Sequence, residues 1–233
     1  NYGKGIAIGD VVWAPVNCGY EAPTDTYKGY PYGKLYQWGR KYGQGYSGDL
    51  YDEHLVAIGS HSDAIIPTYK TGGIKGADGN EDIYANIYFG QLWANRDWCD
   101  PQNDKLWYDG SENSPIKTKY DPCPEGWRIP TMTEYNLLIK NYSSWTTKDE
   151  QSGCWFSGSY EYGENVSKVF FPAAGYQIIG SAYTGQRGSV GYYWASTPNY
   201  DKDWDRSVRL DLQNHELEFA NREGGYSVRC VRE

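Results

Sequence analysis

Methionine occurs once and phenylalanine only five times in 233 residues, so two of the usual fillers of a large core are scarce. Long, evenly apolar helices are poorly supported by such a composition. No run of 18 apolar residues is present, and nothing reads as a membrane-spanning helix. No stretch concentrates lysine and arginine, and the formal net charge is −8. That balance argues against nucleic acid or an anionic membrane as partner, since both need a basic patch. C-x-x-C pairs are missing, and His54, His61 and His215 lie far in sequence from the cysteines. A structural zinc site wants closer pairs. There is no G-x-S-x-G for a nucleophile elbow. The opening NYGKGIAIGD has no signal-peptide pattern; the segment reads as mature or trimmed, so the missing leader carries no information.

What the chain does have is Tyr 24, Trp 10 and Gly 28, with aromatics at 17%. Such a mixture suits short strands and a surface rich in amphipathic rings. Five cysteines, Cys18, Cys99, Cys123, Cys154 and Cys230, read as disulfide formers in an oxidising compartment. Five is odd, so at least one thiol stays unbridged or bonds outside the chain.

Along the chain, GIAIGDVVWAPVNCGY (residues 5–20) suggests one strand stopped by Pro15. Residues 21–50 are a Tyr/Gly-rich stretch dense in turn signals, and 51–82 hold many loop formers. A short helix or strand is expected at Ile83–Trp93. Residues 94–122 read as loop anchored by Trp98, Trp107, Tyr108 and Tyr120. The pattern sharpens after Pro122. Gly126–Ile129 is a short strand. Thr131 and Glu134 fit a capping box, and Met132, Tyr135, Leu138, Ile139 and Tyr142 follow at helical spacing, with the helix ending near Asn141. Strands are expected at Lys168–Ala173, Gly191–Ser196, Ser207–Leu212, Glu216–Ala220 and Tyr226–Val231. The third and fourth form a hairpin turning at Gln213-Asn214-His215. One domain, 1–233, is expected, with a loop-rich part over 1–121 and a core over 122–233.

YDPCPEGWRIPTMTEY, GYYWAST and the closing GGYSVRCVRE resemble the Fibrobacter succinogenes major paralogous domain family. That family is common on surface proteins of Bacteroidetes-type bacteria, including pilus-tip adhesins. WAPVNCGY and YGKLYQWGRKYGQGY resemble the amino-terminal half of some members. The resemblance implies an α+β, C-type-lectin-like domain, related also to the formylglycine-generating enzymes. Short antiparallel strands, few short helices and much irregular loop go with it, and the first and last strands pair. It further implies a Cys123–Cys230 disulfide joining the beginning of the core to its end. Cys18–Cys99 is the expected second bridge, leaving Cys154 as a thiol. The active-site cysteine pair of the formylglycine-generating enzymes does not map onto Cys18, Cys99 or Cys154, and fold kinship does not carry activity.

Chemical motifs are few. Gly43 to Gly48 spells G-x-G-x-x-G, but YQWGRKY before it is too polar for the strand a dinucleotide site needs. Asp201, Asp203 and Asp205 alternate as calcium ligands can, yet Arg206 stands where the loop wants glycine and no glutamate closes it. A solvated acidic turn is the plainer reading. Thr197-Pro198-Asn199 and Trp204-Asp205-Arg206 only echo lectin calcium motifs. Asn141 and Asn165 open glycosylation sequons by pattern, without meaning if the source is bacterial, as the resemblance implies. Tyr27, Tyr30, Tyr32, Trp38, Tyr42 and Tyr46, and later Tyr160, Tyr162, Tyr183, Tyr192 and Tyr200, are candidate ring contacts for sugars or proteins, with packing as the competing role. Given paired ends, the chain between Phe171 and Arg206 leaves the sheet and returns, so Tyr183, Arg187, Tyr200, Asp203 and Trp204 are the expected ligand face.

The expectation is a secreted or cell-surface (outer-membrane-associated) binding module, not an enzyme. It needs no cofactor, with calcium as the one ion to consider. Its partners would be a glycan or a host or bacterial surface protein, and other pilus or envelope subunits. A polysaccharide-acting enzyme and a ligand-free structural subunit are the alternatives.

Overall fold

The computed structural model describes residues 2–22, 32–44, 50–51, 57–59, 68–71, 78–82, 87–90, 97–148, 151–158, 166–177, 184–199 and 206–233. The fold is mostly β-sheet with one short α-helix among these residues, as a small α+β or mainly β chain. No described helix is long and apolar enough to cross a membrane.

Two sheets set the frame. In the four-stranded sheet the order is Ile6–Ile8, Val11–Trp13, Val231–Arg232, Trp127–Arg128. Trp13 faces Val231, and Trp127 faces Arg232, both antiparallel. The beginning and end of the chain thus share one sheet, as expected. The expected single amino-terminal strand is instead a hairpin, with Ile8 opposite Val11. Gly9 turns it at φ 58°, a conformation glycine adopts without a Cβ clash. Gly-Asp between apolar runs was the available signal.

The five-stranded sheet runs Glu216–Asn221, Arg206–Asp211, Tyr192–Pro198, Tyr226–Ser227, Leu35–Tyr36. Its first pair is the expected hairpin, Arg206 opposite Asn221 and Asp211 opposite Glu216. The Asp211 carboxylate accepts from the Gln213 and Asn214 backbone N–H groups, which fixes the turn. Both sheets combine strands from either side of residue 122. A three-stranded sheet, Tyr142–Lys148, Gln151–Ser157 and Lys168–Pro172, completes the carboxy-terminal part. Only its last strand was expected. Residues 94–122, read as loop, hold a hairpin, Tyr108–Ser111 with Ser114–Lys117. Its strands are too polar to show an alternating pattern. Within the segment expected around Ile83–Trp93, Ile87–Gly90 is a strand parallel to Thr68–Thr71.

The helix, Met132–Ile139, begins with the capping box: Thr131 Oγ1 accepts from Glu134 N–H, and the Glu134 carboxylate accepts from Thr131 N–H at 2.8 Å. The remaining first-turn donors are met from elsewhere. Met132 N–H reaches Thr197 Oγ1 at 2.8 Å, and Thr133 N–H reaches Glu112 at 3.1 Å. Arg128 grips Glu134 with two N–H bonds of 2.8 and 2.7 Å. Tyr135 and Leu138 are buried, with Met132, Ile139 and Tyr142 packed around the same core.

Tryptophan replaces the scarce phenylalanine in the other core. Trp38, Trp98, Trp107 and Trp194 are fully buried there, and each indole N–H donates to a backbone carbonyl: Ala195, Trp38, Arg40 and Tyr36 respectively. Three of the described arginines, Arg40, Arg222 and Arg229, are also fully buried. Arg229 donates to Asn17 Oδ1, Ala14 O and Phe170 O at 2.8–2.9 Å. Arg222 lies 4.2 Å over the Trp38 ring and pairs with Asp97 and Asp104. Arg40 lies 4.8 Å over the Phe89 ring and donates to Gln37 Oε1 at 3.1 Å, so rings and acceptors offset the cost of burying these charges.

Candidate functional site

The Cys123–Cys230 disulfide is present, spanning a sequence separation of 107. Cys18–Cys99 is not; Cys18, Cys99 and Cys154 are buried thiols. The correction has a local cause. Cys18 is aimed at the other bridge: its Sγ and those of Cys123 and Cys230 all lie within 4.8 Å of one another. Cys99 donates to Pro101 O at 3.2 Å.

Five separated stretches meet above this sulfur cluster. Cys18 N–H donates to Val228 O and Lys34 N–H to Cys18 O, which lays Asn17–Gly19 beside the last strands. Leu35 and Gln44 exchange backbone bonds, which returns Lys41–Gly43 to the same spot. Tyr2 comes from the amino terminus, and Pro122 and Pro124 flank the bridge. Between them opens a pocket of about 390 Å³. Its walls carry the rings of Tyr2, Tyr20, Tyr36 and Tyr42 and the side chains of Lys34 and Lys41, with Cys18 toward the bridge. Glycine makes the room. A Cβ on Gly43 would sit 2.6 Å from the Tyr36 ring, and one on Gly19 would meet the Lys34 side chain at 2.8 Å, at φ 75°.

Charges around the pocket are unequal. The lining residues include two lysines and no carboxylate. Lys34 is 3.6 Å from Glu21, and Lys41 lies 5.2 Å over the Tyr42 ring. Beneath, burial pushes the Cys18 thiol up to about 11, opposed by hydrogen bonds from Tyr36 and Tyr2. The same desolvation holds the Tyr2 and Tyr36 hydroxyls well above their ordinary range. Asp121 is buried beside the bridge and accepts from Cys123 N–H at 2.7 Å and Ile129 N–H at 2.9 Å. Burial raises its carboxyl to about 7 against those bonds and Lys117.

Of the ligand face expected from the sequence, Tyr183, Tyr200, Asp203 and Trp204 lie outside the described residues, as do the calcium candidates Asp201 and Asp205. Arg187 is described, half-buried, with its guanidinium 5.6 Å over the Tyr32 ring. Among the other ring candidates, Tyr32 and Trp38 are packing residues at 1% and 0% exposure. Tyr192 is sandwiched near Tyr226, with Arg209 3.6 Å over its ring. Tyr27, Tyr30, Tyr46, Tyr160 and Tyr162 fall outside the described residues, and so does Gly45 to Gly48 of the glycine motif. Among the described residues of the early group, Tyr42 alone lines the pocket. Tyr2, Tyr20, Tyr36, Lys34, Lys41 and Cys18 were missed. Their one sequence signal is a glycine beside or near each ring, at Gly19, Gly33 and Gly43.

A second sulfur deserves comparison. Cys154 Sγ lies 3.9 Å from His215 Nε2, but the thiol donates to Leu212 O at 3.2 Å and burial pushes it to about 12. Such a thiol holds its proton at neutral pH, and no described disulfide involves or adjoins it, so Cys154 is given no sulfur to attack. No family model, curated protein or solved structure matches the chain.

Proposed function

We propose that the chain is a non-catalytic, cell-surface binding module with a C-type-lectin-like plan, of the Fibrobacter succinogenes major paralogous domain type, and that the tyrosine- and lysine-lined pocket holds a glycan. The pocket itself carries this reading. Tyrosine rings offer flat apolar faces for the C–H side of a sugar and hydroxyls for its edge. Lys34 and Lys41 add donors and positive charge, offset in part by Glu21 at 3.6 Å from Lys34 and by Asp82, which accepts from the Tyr42 hydroxyl. An acidic sugar therefore fits better than a neutral one, by charge complementarity. The glycine-fitted walls are braced by backbone bonds, which lowers the ordering cost on binding.

Paired chain ends support the lectin-like plan. The Cys123–Cys230 bridge supports an oxidising site, secreted or on the surface. Raised thiol and phenol groups at the pocket favour holding over turnover, because neither shares a proton readily at neutral pH. An acidic segment of a surface protein or of another pilus or envelope subunit could take the same pocket.

A glycan array decides among these readings. Saturable binding that favours acidic sugars is the expected result. Cleavage of an arrayed polysaccharide would assign an enzyme instead, and silence across the array would return the chain to a protein-binding or structural role.

A further inference from the structure

Cys18 differs from the other two thiols in what it faces. All three donate to backbone carbonyls, Cys99 to Pro101 O, Cys154 to Leu212 O and Cys18 to Pro122 O at 3.4 Å, but the Cys18 acceptor is next to the bridged Cys123. Cys18 faces two sulfurs already joined to each other, all three within 4.8 Å and all buried. The backbone builds this meeting. Ala14 N–H donates to Cys230 O and Cys18 N–H to Val228 O, each at 2.8 Å, so the first and last segments are held side by side. Cys123 N–H is fixed on Asp121 at 2.7 Å. Hydroxyls attend the sulfurs: Tyr36 donates to Cys18 Sγ at 3.3 Å, and the Tyr2 hydroxyl lies 3.8 Å from Cys230 Sγ. Cys18 also lines the pocket, which gives its proton a way to water.

We propose that Cys18, Cys123 and Cys230 form an internal thiol–disulfide exchange site, in which a single bridge moves among three sulfurs. Cys18 Sγ gives its proton to solvent, and its electron pair attacks Cys123 Sγ. The Cys18–Cys123 bond forms as the Cys123–Cys230 bond breaks. The bonding pair leaves on Cys230 Sγ, which takes up a proton. Attack on Cys230 gives the other isomer. One thiol and one disulfide stand on each side, so the step needs neither oxidant nor reductant.

The groups facing Cys18 set the rate. Desolvation and the Asp121 charge oppose its ionisation, while the Tyr36 and Tyr2 hydroxyls assist it. The thiolate is the attacking form, so exchange is slow at neutral pH and accelerates roughly tenfold per pH unit below the thiol's raised value. Exchange also changes what is tied. Cys123–Cys230 closes the carboxy-terminal part, whereas Cys18–Cys123 closes the amino-terminal part and leaves the last strand on its hydrogen bonds and the packing of Val231. Because Cys18 lines the pocket, the pocket would register the change.

Non-reducing peptide mapping after acid quench tests the proposal on the whole chain. After incubation at pH 7 and at pH 10, peptides linked through Cys18 to Cys123 or Cys230 should appear, forming about a thousandfold faster at pH 10. Cys99 and Cys154 are internal controls. Linked peptides containing them in equal share, or a bridge that stays on Cys123–Cys230 throughout, would overturn the proposal. A second arm is independent of rate. In Cys230→Ser the pair Cys18 and Cys123 should oxidise to a bridge under oxidised glutathione, and in Cys123→Ser the pair Cys18 and Cys230 should do so. Each variant keeps four cysteines, so success leaves only Cys99 and Cys154 alkylatable, whereas alkylation of Cys18 and its intended partner would contradict it.

Discussion

Asp121 is a carboxylate in a place that disfavours charge. It caps the backbone at Cys123 and Ile129, yet burial raises it from 3.8 to about 7. The sign of its effect follows. Below about pH 4 the group is protonated whether the chain is folded or not. Between about 4 and 7 the folded state keeps a proton that the unfolded chain has released, so this residue's contribution falls as pH rises through that window and levels off above it. Three pH units at about 1.4 kcal/mol each bound the loss at about 4 kcal/mol. Asp121→Asn removes that slope. Denaturant melts at pH 4, 5.5 and 7 should show wild type losing its advantage over the variant stepwise; a constant difference would mean that Asp121 titrates normally in the fold. Buried Arg229 shows the same logic with a different solution, since its three acceptors are all neutral oxygens. Neither residue announced itself in the sequence. Asp121 reads there as one acid among thirty, and Arg229 as a surface charge in a strand.

The helix is the element whose sequence said most. Thr131, Glu134 and the apolar spacing behind them each act within one turn, so their pattern survives in one dimension. Thr131→Ala should cost about 1 kcal/mol, seen as a lower denaturant midpoint at unchanged slope, because Glu134 N–H loses its acceptor. An unchanged midpoint would show that Arg128, Thr197 and Glu112 hold the helix start without it. The hairpin at Arg206–Asn221 was legible for a similar reason: alternation and a turn lie in consecutive residues. Tyr142–Lys148 and Gln151–Ser157 were not. YSSWTTK is mostly polar, Trp145 is exposed, and only Cys154 and Phe156 of the partner strand bring large buried side chains. Here pairing between strands, rather than local pattern, makes the element.

At the scale of the whole molecule, the beginning and end of the chain are joined by strand pairing and by Arg229 holding Ala14 and Asn17, and the bridge ties Cys123, mid-chain, to the same end. In the chain-entropy account a loop of about 100 residues makes such a bridge worth about 4.7 kcal/mol before strain. Cys123→Ala with Cys230→Ala should therefore lower stability by about 2–5 kcal/mol in a denaturant melt, and a loss under about 1 kcal/mol would mean that pairing and Arg229 suffice. The pocket belongs to this scale too. Its walls come from residues 2, 18–20, 34–36, 41–43 and 122–124, so no local motif could reveal it. Only the closure of the two ends assembles it. Its function is most directly tested by titration calorimetry. The acidic glycan best bound on the array would be titrated into wild type and into a Tyr20→Ala, Lys41→Ala variant. Tyr20 and Lys41 are both exposed, so the fold should stand and the melting temperature stay unchanged. Loss of a ring face and a charge of roughly 1.4 kcal/mol or more predicts at least tenfold weaker binding. Wild-type affinity in a variant that melts normally would contradict the account and place the ligand elsewhere on the molecule.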